Sequence, residues 1–281
     1  MSAVVTRFAP SPTGLLHLGH AHAALIGWRA ARDAGGRFLL RLEDIDRVRC
    51  RQEFGDAIGE DLAWLGLDWD GAVRVQSGHF ADYRRALDRL EAQGLLYPCF
   101  CTRAAIKAEV ARAAAAPHGE EGPLYPGTCR GLTPKERAAR IEAGAAWALR
   151  LDVAKALART GPLWWQDEGA GRVAADAASL GDVVLARKET PASYHLAVTV
   201  DDALQRVTLV TRGEDLFAAT HIHRLLQALL DLPVPRYRHH ALLVDAEGRR
   251  YAKRDRALSL CALRQAGRTP REVRALAGFP G

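Results

Sequence analysis

Three stretches of the chain concentrate residue types that can do chemistry. The first is Arg7-Phe8-Ala9-Pro10-Ser11-Pro12-Thr13-Gly14-Leu15-Leu16-His17-Leu18-Gly19-His20. A helix start there offers unpaired N–H groups and positive dipole density to a phosphate. His17 and His20 can add donors to phosphate or ribose, and Gly19 lets a ligand come close to the backbone. A single loop histidine is more often structural, so the weight rests on the whole string. The second stretch is Cys99-Phe100-Cys101 followed by Tyr125 and Cys129. Three thiolates so close in sequence can supply three ligands of a tetrahedral Zn²⁺ site, with a fourth ligand from elsewhere. Free buried thiols are the competing reading. The third is the basic run Arg249 to Arg256 around Lys253. By itself it reads more readily as a solvated surface than as positive charge for a reacting phosphate.

The elements that must position these groups follow from the pattern. Ala3 to Phe8 is a short apolar run that meets Pro10, Pro12 and Gly14, a strand entering a tight loop. Leu18 to Ala34 has helical spacing and stops at Gly35-Gly36, and Phe38 to Leu42 returns as a strand. Strand, helix and strand in so short a span make a βαβ unit and hence a parallel sheet. Helices are predicted over Glu53 to Leu65 and Phe80 to Gln93. The rhythm then breaks at Tyr97 to Gly131, which reads as an insertion with an Ala-rich helix over Ala104 to Ala116. Thr133-Pro134-Lys135-Glu136 carries a capping box with Pro at the first helical position. Shorter β-like runs lie at Ala148 to Val153 and Asp182 to Leu185. The α/β rhythm resumes over Tyr194 to Val200 and Arg206 to Val210, then a helix from Ala218 to Leu230 and a strand near Ala241 to Val244.

Composition bounds the answer further. The chain has 281 residues, enough for a substantial core without disulfide staples, and 48% hydrophobic against 26% charged residues excludes a disordered chain. Net charge is +6, which permits a polyanionic partner without demanding one. Five cysteines, an odd number with three clustered, argue against a secreted disulfide framework and for a reducing compartment. No secretory leader or apolar run long enough to span a membrane is evident, so a cytoplasmic monomer is expected. Trp164-Trp165 reads as packing or an insertion surface rather than a base-stacking platform, and the Arg84, Arg85 and Arg89 helix as a solvated face.

The fourteen-residue string resembles the HIGH signature region of class I aminoacyl-tRNA synthetases of the glutamyl/glutaminyl subgroup. Arg41-Leu42-Glu43-Asp44-Ile45-Asp46, Ser193-Tyr194-His195-Leu196-Ala197-Val198-Thr199-Val200-Asp201-Asp202 and Arg212-Gly213-Glu214-Asp215-Leu216 follow in the family's order. Arg250-Tyr251-Ala252-Lys253-Arg254 stands where a KMSKS-type loop belongs; Lys253 keeps the second lysine, while Arg250 and Ala252 depart from the pattern. The resemblance implies an α/β fold: a Rossmann-type catalytic domain with a parallel sheet, an inserted zinc-containing α+β subdomain and a short helical C-terminal extension. Expected bounds are 1–97 and 191–245 for the catalytic halves, 98–190 for the insertion and 246–281 for the loop and C-terminal segment.

It also implies a site. Free glutamate presents an ammonium and two carboxylates. A planar guanidinium reads a carboxylate through paired charge-assisted hydrogen bonds, so Arg7 and Arg212 are the candidate carboxylate readers. Glu43 is the candidate ammonium partner, with Phe8, Ala9, Pro10, Ser11 and Tyr194 completing the glutamate site. His17, Gly19, His20 and Lys253 are implied for ATP, with His17, His20 and Lys253 as the catalytic groups and Mg²⁺ accompanying ATP. The resemblance further implies zinc on Cys99, Cys101, Tyr125 and Cys129, with His118 or water as substitutes for the unusual phenolate. Only 27 residues follow Arg254, too few for an anticodon-reading domain. Together with the cysteine arrangement this is most similar to the glutamyl-Q tRNA(Asp) synthetases. The implied reaction is tRNA-independent formation of glutamyl-adenylate, then transfer to queuosine in the anticodon stem-loop of tRNA(Asp). Two alternatives are a minimal glutamyl-tRNA synthetase that charges a 3′ end and a non-catalytic paralogue that binds a nucleotide or RNA.

Overall fold

A computed structural model describes residues 3–102, 104–106, 118–119, 122–188, 190–244 and 259–280. The chain opens with strand β1 (Val5–Phe8), helix α1 (Leu18–Asp33) and strand β2 (Arg37–Leu42), and β1 and β2 pair in parallel. The return from α1 to β2 is tight. Gly35 has φ +60°, and a Cβ on Gly36 would lie 2.1 Å from the Val4 carbonyl oxygen, so only glycine fits. Helix α2 (Gln52–Trp64) leads to strand β3 (Arg74–Val75), which pairs in parallel with β2. Helix α3 (Phe80–Ala92) then hands the chain to β4 (Leu96–Cys99).

The chain after β4 holds a small hairpin, β5 (His118–Gly119) and β6 (Gly122–Pro123), then helix α4 (Pro134–Glu142), strand β7 (Ala148–Leu151), helix α5 (Val153–Thr160), the hairpin β8 (Trp164–Asp167) and β9 (Gly171–Ala174), and strand β10 (Val184–Arg187). Strands β10, β7 and β4 form an antiparallel sheet. The predicted capping box at Thr133 is present: its hydroxyl accepts from the Glu136 N–H, and the Glu136 carboxylate accepts from the Thr133 N–H at 2.7 Å. The Ala104 to Ala116 helix falls largely outside the described residues.

Helix α6 (Tyr194–Leu204), strand β11 (Leu209–Gly213), helix α7 (Ala219–Leu229) and strand β12 (Arg236–His240) complete the sheet. β11, β12 and β8 run parallel, with β9 antiparallel at the edge. The last strand lies at Arg236–His240 rather than at Ala241 to Val244. Its residues are polar because several serve the interior of the site, so the apolar run after it was the misleading signal. β11 lies beside β1, where the Thr208 N–H donates to the Val5 carbonyl at 2.9 Å. Two short helices, α8 (Leu260–Gln265) and α9 (Pro270–Leu276), pack against α2 and α1. No helix among the described residues is long and apolar enough to cross a membrane.

Two apolar clusters clamp this framework. One joins Leu25, Phe38, Leu40, Ile58 and Leu62 with Leu260 and Val273 from the C-terminal helices. The other joins Tyr83, Leu87, Leu151 and Leu185 with Leu196, Ile222 and Leu226. Close approach of α1 to the sheet is set at Gly27, whose carbonyl accepts from the Thr6 hydroxyl at 2.8 Å.

Candidate active site

The parallel strands β1, β2, β11 and β12 end on one side, and their carboxyl ends deliver the polar residues, as open α/β sheets do at their ligand crevices. Arg7 comes from β1, Arg41 and Glu43 from the end of β2, Arg212 from β11 and His239 from β12. Helix α6 contributes Tyr194 and Asp202.

Asp202 is the anchor. Its Oδ1 accepts from Arg7 Nε at 3.0 Å and from Arg41 Nη2 at 2.8 Å. Burial pushes this carboxyl up, but the two guanidiniums outweigh it and hold it below the ordinary carboxylate range. Arg7 Nη1 also donates to the Thr211 carbonyl at 3.0 Å, which fixes the plane of its fork. Arg41 is fully buried and binds Gln205 as well. The neighbouring Asp201 is neutralised separately by Arg74 at 2.7 Å, with Gln76 and the Tyr83 hydroxyl donating to its other oxygen.

Glu43 faces this cluster. Its backbone N–H donates to the Pro10 carbonyl at 3.0 Å, which ties the end of β2 to the loop after β1. Its Oε1 is buried and has no hydrogen-bond partner among the described residues, although Arg41 Nε lies 3.4 Å away. Burial pushes the carboxyl up, Arg41 and Arg7 pull it down, and the net is about 7. A buried, unsatisfied carboxylate oxygen is costly in the free protein and is set up to accept a donor brought by a ligand.

Arg212 comes from β11 and has its own set of partners. Its Nε donates to His239 Nε2 at 3.1 Å, Nη1 meets the Tyr194 hydroxyl at 3.4 Å and His223 Nδ1 at 3.2 Å, and Nη2 donates to the Thr220 hydroxyl. The Tyr194 phenol is pushed up by burial; it feels Arg212 and Arg7 on one side and Glu43 and Asp202 on the other. Tyr194 thus meets Arg212 directly and is near enough to Arg7 and Glu43 to feel their charges. Arg7, Arg41 and Arg212 against Glu43 and Asp202 leave one positive charge, the complement of a ligand with one ammonium and two carboxylates. Phe8 is buried at the end of β1, and Ala9, Pro10 and Ser11 form the loop that passes Glu43.

The two signature histidines open α1 as a reciprocal cap. His17 Nδ1 accepts from the Gly19 N–H at 3.1 Å, and His20 Nδ1 accepts from the His17 N–H at 3.2 Å. Accepting at Nδ1 puts the proton of each neutral ring on Nε2. The ring centroids are 3.8 Å apart, with the planes tilted by 34°. A Cβ at Gly19 would stand 3.0 Å from the His17 ring, so the glycine is what lets that ring fold back over the helix start. Lys253, with Arg250 to Arg254, lies outside the described residues.

The cysteine cluster is a separate centre. The Sγ atoms of Cys99, Cys101 and Cys129 all lie within 4.8 Å of one another, and Cys101 and Cys129 are 3.6 Å apart. A tetrahedral zinc with Zn–S near ~2.3 Å requires sulfurs roughly 3.8 Å apart, so the donor set fits. The Tyr125 hydroxyl lies 3.9 Å from Cys101 Sγ and accepts from the Cys129 N–H at 2.8 Å. Burial pushes the Cys101 thiol up to about 11; Cys99 is held down because hydrogen bonds from Tyr125 and Arg150 outweigh its burial. Arg150 also stacks over the Tyr125 ring at 3.9 Å. Cys50 and Cys261 lie outside this cluster.

Several partners in the site were not assigned from sequence. Asp202 and Arg41 sit inside the quoted motifs, but nothing in their spacing showed that they pair. Thr220, His223 and Asp167 gave no local signal. His239 belongs to the surroundings of Arg212. Trp165 is buried against Tyr237 and Phe217, in keeping with packing, while Trp164 is partly exposed. Arg84 and Arg85 pair with Asp88 and Asp82 on the solvent side of α3.

Residues 3–275 match the family described as tRNA synthetases class I (E and Q), catalytic domain. A glutamyl-Q tRNA(Asp) synthetase of Rhodobacter capsulatus is 49% identical, over 98% of this chain and 100% of its own length. One from Symbiobacterium thermophilum is 46% identical, over 95% of this chain and 83% of its own. A glutamate tRNA ligase from Elizabethkingia meningosepticum, solved with its amino acid, superposes with a TM-score of 0.75 at 28% identity, covering 90% of this chain and 52% of that one. The chain thus spans about half the length of that solved ligase.

Proposed function

The chain belongs to the class I tRNA synthetase family of the glutamate and glutamine type, and from that premise we propose that it is a ligase acting on glutamate, ATP and tRNA(Asp). Glutamate and ATP give glutamyl-adenylate and pyrophosphate; a hydroxyl of queuosine then attacks the mixed anhydride, and AMP leaves. What supports the reading is that Arg7, Glu43 and Arg212 come from the carboxyl ends of parallel strands, with the Tyr194 hydroxyl 3.4 Å from Arg212 and within the field of Arg7 and Glu43.

Arg212 and Arg7 take the two carboxylates, and the Glu43 oxygen without a hydrogen bond takes the ammonium. Phe8, Ala9, Pro10 and Ser11 line the approach. Aspartate would leave one guanidinium unpaired, and a buried unpaired charge is the strongest basis for rejecting it. ATP would lie over the start of α1, where the Nε2–H groups of His17 and His20 and the ammonium of Lys253 would donate to phosphate oxygens and Gly19 leaves room for the His17 ring; Mg²⁺, when bound with ATP, would supply further neutralisation of phosphate charge. No side chain is required as a covalent nucleophile: alignment and electrostatic stabilisation carry both steps.

Cys99, Cys101 and Cys129, with Tyr125, would hold a structural Zn²⁺. The ion would supply cross-linking alone, joining the end of β4 to the loop that carries Cys129. The nearby fold is braced independently: Asp182 accepts from Arg130, from the Tyr97 hydroxyl and from the Val153 N–H.

Transfer of labelled glutamate tests the reading. Label should reach tRNA(Asp) that carries queuosine and not the unmodified tRNA(Asp). Charging of the 3′ end of tRNA(Glu) would support the minimal glutamyl-tRNA synthetase instead. Absence of glutamate-dependent ATP–pyrophosphate exchange in zinc-replete protein would mark a non-catalytic paralogue.

A further inference from the structure

The surroundings of Arg212 are unusual. Apart from Thr220 and Tyr194, the groups that receive its N–H donors are imidazoles, and a guanidinium has no lone pair to offer in return. His239 must therefore present an unprotonated Nε2 to Arg212 Nε, 3.1 Å away. What secures that state is on the other side of the ring: His239 Nδ1 lies 2.7 Å from Asp167 Oδ2, and a buried carboxylate only accepts. Asp167 is itself buried. Sheet register builds the relay, since His239 is the β12 partner of Arg212 on β11, and Tyr237 on the same strand is the partner of Asp167 on β8.

We infer that Asp167 and His239 are positioning residues for amino-acid recognition, with the Asp167 carboxylate fixing the His239 tautomer whose Nε2 lone pair holds the Arg212 fork in the plane that reads a substrate carboxylate. The inference rests on the proposed role of Arg212 and adds what orients it. The same logic continues through His223, whose Nδ1 accepts from Arg212 and whose Nε2 meets His195 Nδ1 at 3.2 Å. A wrong tautomer at His239 would set an N–H against the Arg212 Nε–H, and the guanidinium would have to rotate away.

The two oxygens of Asp167 have different partners. Oδ1 accepts from the Gly169 and Ala170 N–H groups, at 2.8 and 2.9 Å, and shapes the β8–β9 turn, whereas Oδ2 faces the His239 ring at 2.7 Å and also accepts from the His239 backbone N–H at 3.3 Å, a contact that His239→Ala keeps. Asp167→Asn can keep the turn with its amide oxygen while turning an NH₂ toward His239, which demands the opposite tautomer. ATP–pyrophosphate exchange on Asp167→Asn, His239→Ala, the double variant and Arg212→Lys reads the effect, with ¹⁵N-histidine NMR reporting the His239 tautomer. The expected result is a flipped tautomer in Asp167→Asn and a glutamate KM raised roughly tenfold or more, with kcat and the KM for ATP changed about threefold or less. In the His239→Ala background, Asp167→Asn should add nothing. A wild-type glutamate KM in Asp167→Asn with the tautomer flipped, or additive effects in the double variant, overturns the inference. If Asp167→Asn fails to fold, a wild-type glutamate KM in His239→Ala overturns it alone. An unchanged glutamate KM in Arg212→Lys would instead remove Arg212 from recognition, a failure of the proposed function that is separable from a failure of the relay.

Discussion

Replacing Glu43 by glutamine should stabilise the protein while weakening its hold on glutamate. The Glu43 carboxyl is raised from its ordinary 4.5 to about 7, chiefly by burial. A group whose folded value is raised in this way favours the folded state when protonated and penalises it when ionised. The penalty is absent below the unfolded value near 4.5, grows as pH rises toward 7, and is complete above 7. At pH 8 that difference corresponds to about 3 kcal/mol, and glutamine removes it without changing shape. For a chain of 281 residues this amounts to a rise in Tm of about 5 °C. The same substitution removes the charge that the ligand ammonium meets, costing ~1.5–3 kcal/mol, or about 10- to 150-fold in Kd for glutamate. Thermal unfolding at pH 8 and at pH 5, with calorimetric titration of glutamate, reads both effects. The Tm gain should be present at pH 8 and largely gone at pH 5. A Tm gain equal at both pH values, or an unchanged Kd, would refute the reasoning.

Further expectations follow from the same geometry. Because ionised Glu43 is the form that pairs with an ammonium, glutamate binding by the wild-type protein should release a proton below pH 7 and weaken up to about tenfold per pH unit there; an affinity that is flat from pH 5.5 to 8 contradicts it. Tyr194→Phe removes the hydroxyl that meets Arg212 and should raise the glutamate KM about fivefold, with the KM for ATP unmoved in exchange assays. Cys101→Ser should lose bound zinc in elemental analysis and lower Tm by several degrees; stoichiometric zinc in that variant would take Cys101 out of the ligand set. Gly36→Ala places a methyl group 2.1 Å from the Val4 carbonyl and should destabilise by ~1–3 kcal/mol in urea titration, without a change in glutamate Kd per folded molecule.

The local grammar of the chain was readable where chemistry and position coincide. The glycine pair after α1 and the Thr133 box are one-residue devices whose effect lies within a few residues of themselves, so the sequence carries them openly. Helix α6 was harder, because its run of buried residues on nearly every side suits a strand as well as a fully enclosed helix. The site divides along the same line. Arg7, Glu43, Tyr194 and Arg212 could be named because a family pattern marks them. The pairing of Asp202 with both Arg7 and Arg41, and of His239 with Arg212, is created by strand register between segments far apart in the chain. Periodicity within any one segment does not contain that information. Asp167 was least visible of all, since it enters the sheet from a hairpin that follows the inserted antiparallel strand β7.

The mutual capping of His17 and His20 changes how substitutions at these positions must be read. Each ring closes one end of a two-member clasp on the first turn of α1, so an alanine at either place removes a proposed nucleotide donor and frays the turn that orients the other histidine. Loss of activity in such a variant therefore mixes two causes. Asparagine at position 17 separates them: it retains an acceptor for the backbone and discards the imidazole, so the remaining deficit measures the ring itself.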